Sequence, residues 1–264
     1  MGRQGLYANP VVYDILYTSG TAGEMGAFTQ LEMQFAPGRI LKGSLWFEPA
    51  CGTGRYLRLA QKRKKRIAGF DLDEGQLDYA RQRFKVPPDA LFQADMADFS
   101  AAARESNLEP GSVDFAINPV NSIRHLDSDQ AMLAHFEQMA DFLKSGAVYV
   151  VGLSLTDYEY LMPEEDLWQT GRGHLKVSQL VNYLPPEPGT AKDRVEQVIS
   201  HLTVEGPNKT EHFDDTYDLR TYDTKQWRDL VGKSRLDHVG SFDAFAKPLD
   251  GRVLAYQLEV LRKP

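Results

Sequence analysis

Short apolar runs alternate with helical patterns along the middle of the chain, from Ser44 to Leu153. Apolar residues at helical spacing, such as Met132, Phe136 and Met139, predict amphipathic helices, and runs of four to seven mostly apolar residues predict buried strands. The predicted strands are residues 44–48, 67–71, 90–93, 112–117 and 147–153, and the predicted helices are residues 55–62, 74–84, 96–104 and 127–143. This alternation predicts a parallel sheet covered by helices on both faces.

The alternation stops after Leu153, and four prolines fall within residues 156–188. We interpret residues 156–188 as an insertion or lid and predict an antiparallel hairpin that follows it. The hairpin strands are residues 194–204 and 210–222; a helix over 224–231 and two closing strands over 236–245 and 252–261 come next.

The predicted fold is α/β and doubly wound: a Rossmann-like, mostly parallel sheet with an antiparallel last strand, plus an inserted lid with antiparallel strands. The predicted division is N-terminal cap helices over 1–43, an α/β core over 44–153, the insertion over 154–222, and a C-terminal helix with the closing strand pair over 223–264.

Composition narrows the class of protein without naming it. The chain has 264 residues, a formal charge of −7 and one cysteine, Cys51. The negative charge disfavours a duplex-binding protein, and a single cysteine excludes an intrachain disulfide and a cysteine-rich zinc site. No apolar run approaches the ~20 residues that a membrane helix needs, and the N-terminus lacks a signal peptide's apolar segment. We therefore expect a cytoplasmic protein, with no membrane partner and no bound metal.

The first predicted strand runs into a glycine turn, Glu48-Pro-Ala-Cys-Gly-Thr-Gly54, that opens a helix. Glycines let the backbone approach a ligand closely, and the helix N-terminus offers free amide donors. Asp71 ends the next strand, 17 residues after Gly54, where an acceptor for ribose hydroxyls belongs.

Three ligand classes compete for this strand–turn–helix pattern. A mononucleotide P-loop is excluded because no Gly-Lys-Ser/Thr follows. A dinucleotide site prefers a third glycine where Leu57 stands, and the carboxylate of Glu48 would repel a pyrophosphate. S-adenosylmethionine carries an ammonium and a sulfonium but no phosphate, so electrostatics favours it over NAD.

A third acid, Asp95, follows the third predicted strand. Its carboxylate can accept a hydrogen bond from the exocyclic amine of adenine, and Met96 and Leu72 can lie on either side of the ring. Three acids at three successive strand ends, together with the glycine turn, form a much more specific signal than any one of them.

At these residues the sequence resembles the class I S-adenosylmethionine-dependent methyltransferases, in particular their small-molecule branch. The likeness covers residues 44–153 and is carried by the segments 47–56, 69–73, 93–96 and 114–119. The resemblance implies roles for individual residues: Glu48, Ala50, Gly52, Gly54 and Arg55 would hold the methionine moiety, Asp71 the ribose, Asp95 and Met96 the adenine, and Asn118 would lie near the sulfonium.

The acceptor is weakly encoded, because the cofactor is already activated and the enzyme chiefly supplies orientation. Amino-methyltransferases that act on bases carry an Asn/Asp-Pro-Pro-aromatic tetrad, whereas this chain has Val120 and Asn121 at its last two positions and lacks the stacking ring. His125, Asn121 and Tyr17 are the candidate catalytic residues, with His125 a possible proton acceptor near neutral pH. Tyr158, Tyr160 and Trp168 in the insertion are candidates for lining an acceptor pocket.

The resulting hypothesis is methyl transfer to nitrogen, oxygen or carbon of a small molecule, with no nucleic-acid partner. The alternatives are a methyltransferase acting on RNA or protein, and a protein that binds S-adenosylmethionine without catalysis. A continuous basic track beside the site would favour the first alternative, and tight binding without transfer would favour the second.

Overall fold

The structure is a computed structural model that describes residues 5–35 and 42–264. Part of the predicted N-terminal segment 1–43 therefore lies outside the described residues. No helix in the described ranges is both long enough and apolar enough to cross a membrane.

A seven-stranded sheet forms the centre of the molecule. Its strands are β1 (Leu45–Pro49), β2 (Arg66–Asp71), β3 (Leu91–Gln93), β4 (Val113–Asn118), β5 (Leu143–Leu153), β10 (Asp237–Phe242) and β11 (Gln257–Arg262). Their order is β10-β11-β5-β4-β1-β2-β3, and β11 is antiparallel to both of its neighbours. The predicted doubly wound sheet with an antiparallel last strand is confirmed.

Helices cover both faces of this sheet. The described helices are α1 (Pro10–Tyr17), α2 (Thr21–Phe35), α3 (Arg55–Lys62), α4 (Glu74–Arg83), α5 (Ser100–Glu105), α6 (Asp129–Phe142) and α7 (Thr224–Val231). Helix α1 packs on the second sheet, and the other six pack on this one. Side chains of α2, α3 and α4 pack on one face with Trp46 and Phe115, and those of α5, α6 and α7 pack on the other with Phe47 and Tyr149. Neighbouring strand residues such as Trp46 and Phe47 enter opposite cores because side chains alternate along a strand.

Local sequence signals fix several helix ends. Helices α3 and α7 occupy the predicted residues. Helix α6 starts after Ser128, whose side chain accepts a hydrogen bond from the Ala131 amide, as expected of an N-cap.

Two predicted boundaries around these helices are wrong. Helix α5 starts at Ser100 rather than Met96, because Asp95 accepts the Ala97 amide at 2.7 Å and forms a turn. Strand β5 starts at Leu143, directly after α6, rather than at the predicted Ala147.

A second, antiparallel sheet of four strands lies between β5 and α7 in the sequence. It consists of β6 (Glu164–Arg172), β7 (Leu175–Leu184), β8 (Val195–Glu205) and β9 (Thr210–Arg220), in that order. The predicted hairpin corresponds to β8 and β9 and is confirmed in outline. Residues 164–184, interpreted as part of a loop-rich insertion, supply the other two strands. The four domain boundaries themselves stay a prediction.

Helix α1 joins the two sheets through one buried carboxylate. Asp14 accepts hydrogen bonds from Thr18 at 2.8 Å, from Tyr79 on α4 at 2.9 Å and from Arg172 on β6 at 2.7 Å. Arg58 and Arg83 add ion pairs at 3.8 and 3.5 Å. This cluster fixes α1, which carries Tyr13 and Tyr17, over the carboxyl ends of the main sheet.

Candidate functional site

A cavity of about 460 Å³ lies where the carboxyl ends of the main sheet face the second sheet. This is also the point where strand order reverses between β1 and β4, the usual ligand position in doubly wound folds. Nine of the predicted catalytic and cofactor-binding residues line the cavity: Tyr17, Ala50, Gly52, Asp71, Leu72, Asp95, Met96, Asn121 and His125.

The turn after β1 forms one wall of this cavity. Ala50 and Gly52 both have positive φ angles, 53° and 51°, so the backbone curls back on itself. Asp71 accepts hydrogen bonds from the amides of Gly52 at 2.8 Å and Asp73 at 3.0 Å. The carboxylate thereby ties the glycine turn to the end of β2 while facing the cavity.

Glu48 and Asn118 are buried at the ends of β1 and β4 and are not among the residues that line the cavity. Oε2 of Glu48 and Oδ1 of Asn118 have no hydrogen-bond partner among the described residues. Burial raises the pKa of Glu48 well above its usual range; Arg55 opposes this shift and Asp71 adds to it. Both orphaned oxygens are acceptors, which suits a ligand that brings positive charge or donors.

Gly54 and Arg55 are also absent from the cavity lining. Gly54 has a φ of 66°, and a Cβ added there would lie 3.0 Å from the Phe84 ring. Glycine is therefore needed at this position so that α3 can start here and pack closely on α4. Arg55 donates to the Tyr17 carbonyl at 2.7 Å and to Thr21 at 2.9 Å. Arg55 therefore binds helices α1 and α2. Because it does not line the cavity, its charge can act on a bound ligand only through space, without direct contact.

Asp95, Met96 and Leu72 stand together at the edge formed by β2 and β3. Leu72 and Asp95 are exposed and Met96 is half-buried. The sulfur of Met96 lies 3.8 Å from Nδ2 of Asn118, which also donates to the Pro49 carbonyl at 2.9 Å. A flat ring with an exocyclic amine would meet apolar side chains and a carboxylate here.

Asn121 is held by its neighbours in an unusual turn. Its amide nitrogen Nδ2 donates to Ser154 at 3.1 Å, and its Oδ1 accepts the Ser154 amide at 2.6 Å. Val120 and Asn121 are both left-handed, with φ of 58° and 62°, and the hydroxyl of Tyr256 accepts the Val120 amide. The side chain of Asn121 thus shapes the rim of the cavity, and both of its polar atoms are already hydrogen-bonded to Ser154.

The comparisons with known proteins bear on this cavity directly. Residues 47–146 match the family model described as a methyltransferase domain, and this stretch contains the glycine turn, Asp71 and Asp95. Residues 47–146 therefore form a methyltransferase domain, as the resemblance to the class I S-adenosylmethionine-dependent family implied. Among curated protein sequences no match was found.

Solved structures resemble this chain over nearly its whole length. DesVI from Streptomyces venezuelae has a TM-score of 0.74 at 21% identity and covers 96% of this chain and 97% of its own. The sugar N-methyltransferase KedS8 from Streptoalloteichus sp. has a TM-score of 0.70 at 18% identity and covers 100% and 98%. CalS10 from Micromonospora echinaspora, an amino pentose methyltransferase with S-adenosylmethionine bound, has a TM-score of 0.69 at 17% identity and full coverage of both chains. At these identities the likeness shows the fold.

The residues in and around the cavity suit S-adenosylmethionine in their chemistry. Asp71 and Asp95 present carboxylates to the cavity, Glu48 is buried two residues before Ala50 of the cavity wall, and no lysine or arginine appears among the described lining residues. The three atoms nearest to a Cβ added at Gly52 all belong to the Tyr13 ring, the nearest at 3.6 Å, and Gly52 itself lines the cavity. A dication without phosphate suits such a surface, whereas a pyrophosphate does not.

The far side of the cavity is an aromatic compartment made by α1, the N-terminal segment and the second sheet. Tyr13 and Tyr17 have ring centroids 4.9 Å apart, and Trp168 lies edge-on to Tyr17 at 5.2 Å. His125 is exposed and lies 5.4 Å from the Tyr217 ring, centroid to centroid. Its Nε2 is 3.5 Å from the Tyr7 hydroxyl.

The tyrosines of this compartment stay protonated at neutral pH. Burial raises the pKa of Tyr17 well above its usual range, and it raises the pKa of both Tyr183 and Tyr217 to about 12. Tyr17 donates its hydroxyl hydrogen to Oε1 of Gln179 at 3.2 Å, and both residues line the cavity. Tyr17 cannot serve as a base in this state.

Several lining residues were missed by the sequence analysis. They are Tyr7, Gln76, Gln179, Val181, Tyr183, Asp215, Tyr217 and Leu219. Most alternate along β7 and β9, so period-two spacing could have placed them on one face of a sheet. Trp168 lines the cavity as predicted, while Tyr158 bonds Thr221 and Gln226, and Tyr160 is exposed.

Proposed function

We propose that this methyltransferase transfers the methyl group of S-adenosylmethionine to the nitrogen of a small amine, with an amino sugar as the leading class. The observation that carries the proposal is the composition of the cavity. Its aromatic compartment continues into the cofactor edge, which is formed by Leu72, Asp95 and Met96, and no lysine or arginine is among the described lining residues. Rings within ~6 Å of an ammonium contribute about 0.5–2 kcal/mol of cation–π attraction. The similar structures described as sugar N- and amino pentose methyltransferases favour the same class.

Site residues would act mainly by placing the two reactants. Under this proposal Glu48, Ala50, Gly52 and Asn118 hold the methionine end, Asp71 the ribose, and Asp95 the adenine. When bound, the cofactor supplies an electrophilic methyl group on a positively charged sulfur. Tyr13 and Tyr17 close the cavity from above, which excludes water and keeps the reacting atoms in line.

Proton movement would be the task of His125. The acceptor amine attacks the methyl carbon with its lone pair, the carbon–sulfur bond breaks, its electron pair stays on sulfur, and the methylated ammonium releases one proton. An imidazole at the cavity mouth can take up that proton or keep the acceptor deprotonated. Asn121 would act as a positioning residue, since both its side-chain polar groups already bond Ser154.

The proposed acceptor class can be tested with labelled cofactor and matched acceptors. We expect transfer to an amino sugar to exceed transfer to the same sugar with a hydroxyl in place of the amine by at least about tenfold, or ~1.4 kcal/mol. The rate with the amino sugar should rise with pH as the amine loses its proton. Label found on sugar oxygen, or on RNA or protein of an extract, would contradict the proposal; cofactor binding without any transfer would favour a non-catalytic protein.

Replacing Tyr217 with leucine tests the aromatic compartment separately. The ring of Tyr217 lies between Tyr7 and His125 on the acceptor side. We expect KM for the amine to rise about tenfold, from the loss of one ring contact, while the affinity for S-adenosylhomocysteine stays unchanged. Tyr158→Leu is the matched control, because Tyr158 bonds Thr221 outside the cavity. An unchanged KM in Tyr217→Leu would argue against this compartment as the acceptor site.

We also retain the cytoplasmic location as a proposal, because the chain has a single cysteine, Cys51, and therefore no intrachain disulfide of the kind common in secreted proteins.

A further inference from the structure

The loop between β3 and α5, residues 94–99, forms the cofactor edge and lies against helix α6. It carries Asp95 and Met96, and β3 before it is only three residues long. A short edge strand gives such a loop little support of its own. Two side chains of α6, His135 and Gln138, hold it by hydrogen bonds to its backbone.

Gln138 holds the far end of the loop. Its Oε1 accepts the amides of Phe99 at 2.7 Å and Ser100 at 2.8 Å, and its Nε2 donates to the Ala97 carbonyl at 2.7 Å. These bonds satisfy the first amides of α5, which has no side-chain N-cap. Gln138 therefore fixes where α5 starts.

His135 holds the end of the loop that lines the cavity. Its Nδ1 lies 2.9 Å from the Met96 carbonyl, and its Nε2 lies 2.9 Å from the Tyr149 hydroxyl. A carbonyl oxygen can only accept, so Nδ1 carries the hydrogen, and in a neutral ring Nε2 then accepts from Tyr149. The hydroxyl of Tyr149 thus selects the tautomer that bonds the loop.

The surroundings of His135 keep it neutral. The residue is fully buried, and burial lowers its pKa to about 4, although the bond to Met96 and the charge of Asp95 oppose that shift. At neutral pH the ring therefore has one donor, Nδ1, which bonds the Met96 carbonyl, and one acceptor, Nε2, which bonds the Tyr149 hydroxyl.

This chain of contacts reaches both sides of the cofactor site. The Met96 sulfur contacts Nδ2 of Asn118, and the same Nδ2 donates to the Pro49 carbonyl, just before the glycine turn. We infer that His135, locked by Tyr149, is a positioning residue of the cofactor site that acts by holding Met96 in place between the adenine edge and Asn118. This inference rests on the cofactor and not on the identity of the acceptor.

The test compares two replacements of His135. Phenylalanine fills the space without a donor, whereas the side-chain nitrogen of asparagine can lie where Nδ1 lies. For His135→Phe we expect S-adenosylhomocysteine to bind about tenfold more weakly by calorimetry, as for the loss of one buried hydrogen bond. His135→Asn should recover most of that loss, and kcat at saturating cofactor should change less than about twofold in both.

A second readout needs no cofactor at all. Amide hydrogen exchange of residues 94–99 in the free protein should be faster in His135→Phe than in wild type and nearly normal in His135→Asn. Phe136→Leu is the matched control: it disturbs the same helix on its Trp227 side, so it should lower stability while leaving the affinity for S-adenosylhomocysteine unchanged.

Some outcomes would overturn the inference. Equal weakening by phenylalanine and asparagine would reduce His135 to a packing role, and wild-type affinity in His135→Phe would remove its role altogether. If His135→Phe does not fold, Tyr149→Phe serves instead. It leaves Nε2 without a donor and should weaken S-adenosylhomocysteine binding two- to fivefold, and an unchanged affinity would contradict the inference. Failure of wild type to bind S-adenosylhomocysteine would overturn the cofactor assignment on which the inference rests.

Discussion

Replacing Glu48 with glutamine is expected to raise the stability of the cofactor-free protein and at the same time to weaken cofactor binding. Glu48 is 2% exposed, and its Oε2 has no partner among the described residues. An ionised carboxylate in that position is costly, because the charge of Arg55 and the backbone hydrogen bond from Leu57 do not outweigh the cost of burial.

The pH dependence of stability follows from the direction of the pKa shift. Burial raises the pKa of Glu48 well above its usual range, so the folded state holds the proton more tightly than the unfolded chain does. The free energy of unfolding therefore falls as pH rises from the usual value of ~4.3 through the raised one. Glutamine cannot ionise, so the melting temperature of Glu48→Gln should exceed that of wild type at pH 8, and the difference should shrink towards pH 4.

Cofactor binding should respond in the opposite sense. The ammonium of S-adenosylhomocysteine favours the ionised carboxylate, so binding to wild type should release a proton and become tighter with rising pH. Glu48→Gln should bind about ten- to hundredfold more weakly, as for a lost charge-assisted hydrogen bond of about 1.5–3 kcal/mol. Calorimetry in two buffers with different heats of ionisation measures the proton release directly, and the variant should show none.

Glu32→Gln provides the control. Glu32 is equally buried but accepts from Ser44 at 2.7 Å and Trp46 at 2.8 Å and pairs with Lys65 at 2.5 Å. It should lose stability and keep its cofactor affinity. A Glu48→Gln variant that binds S-adenosylhomocysteine like wild type would show that this carboxylate does not hold the cofactor.

Replacing Asp14 with asparagine is expected to cost about 3 kcal/mol of unfolding free energy, the range for breaking a buried ion pair from one side. The Asp14 side chain is 1% exposed, and its loss leaves Arg172, Arg58 and Arg83 without their shared countercharge. Because Arg172 belongs to β6, the second sheet should loosen from α1. Urea denaturation gives the free energy, and hydrogen exchange of β6 gives the local effect.

The acid dependence of this effect has a definite sign. Burial alone would raise the pKa of Asp14, but hydrogen bonds from Arg172, Thr18 and Tyr79 outweigh it and hold the pKa below its usual value. The contribution to stability is complete above the unfolded pKa of ~3.9 and is lost as pH falls through the folded pKa. The difference between wild type and Asp14→Asn should therefore be constant near neutrality and shrink below about pH 4.

Asp129→Asn is the matched control for this second prediction. Asp129 also bonds arginine, with distances of 2.8 and 2.9 Å to Arg194, but its side chain is 45% exposed. Exposed ion pairs contribute about 0–1 kcal/mol, so this variant should lose far less. Equal losses in the two variants would contradict the argument that burial makes the Asp14 cluster costly to break.

The fold predictions succeeded where local and tertiary preferences agree. Helix α3 begins at Arg55 because Gly54 is left-handed and no other residue type adopts that conformation as readily. Helix α5 was misplaced because Asp95 and Gln138 fix the preceding turn, and Gln138 lies 39 residues from Phe99. Strands β6 and β7 were missed because prolines and acids around them suggested loops, although Val177, Gln179 and Val181 alternate on one face.

For the candidate site, the cofactor edge was easier to predict than the acceptor side. Asp71 and Asp95 stand at successive strand ends, and parallel strands bring such ends together at one edge. Tyr183 and Tyr217 face the cavity only because β7 and β9 meet that edge from another sheet. Sequence spacing carries no information about that approach.

The sequence by itself determined the doubly wound sheet, the glycine turn and the row of acids, because each depends on periodicity or on a single backbone conformation. Only the tertiary structure decided that Glu48 and Asn118 are buried with oxygens that lack a partner among the described residues, that Arg55 binds α1 and α2, and that the aromatic compartment exists. Those features depend on burial and on contacts between residues distant in the chain, and such contacts arise only when the two sheets pack around helix α1.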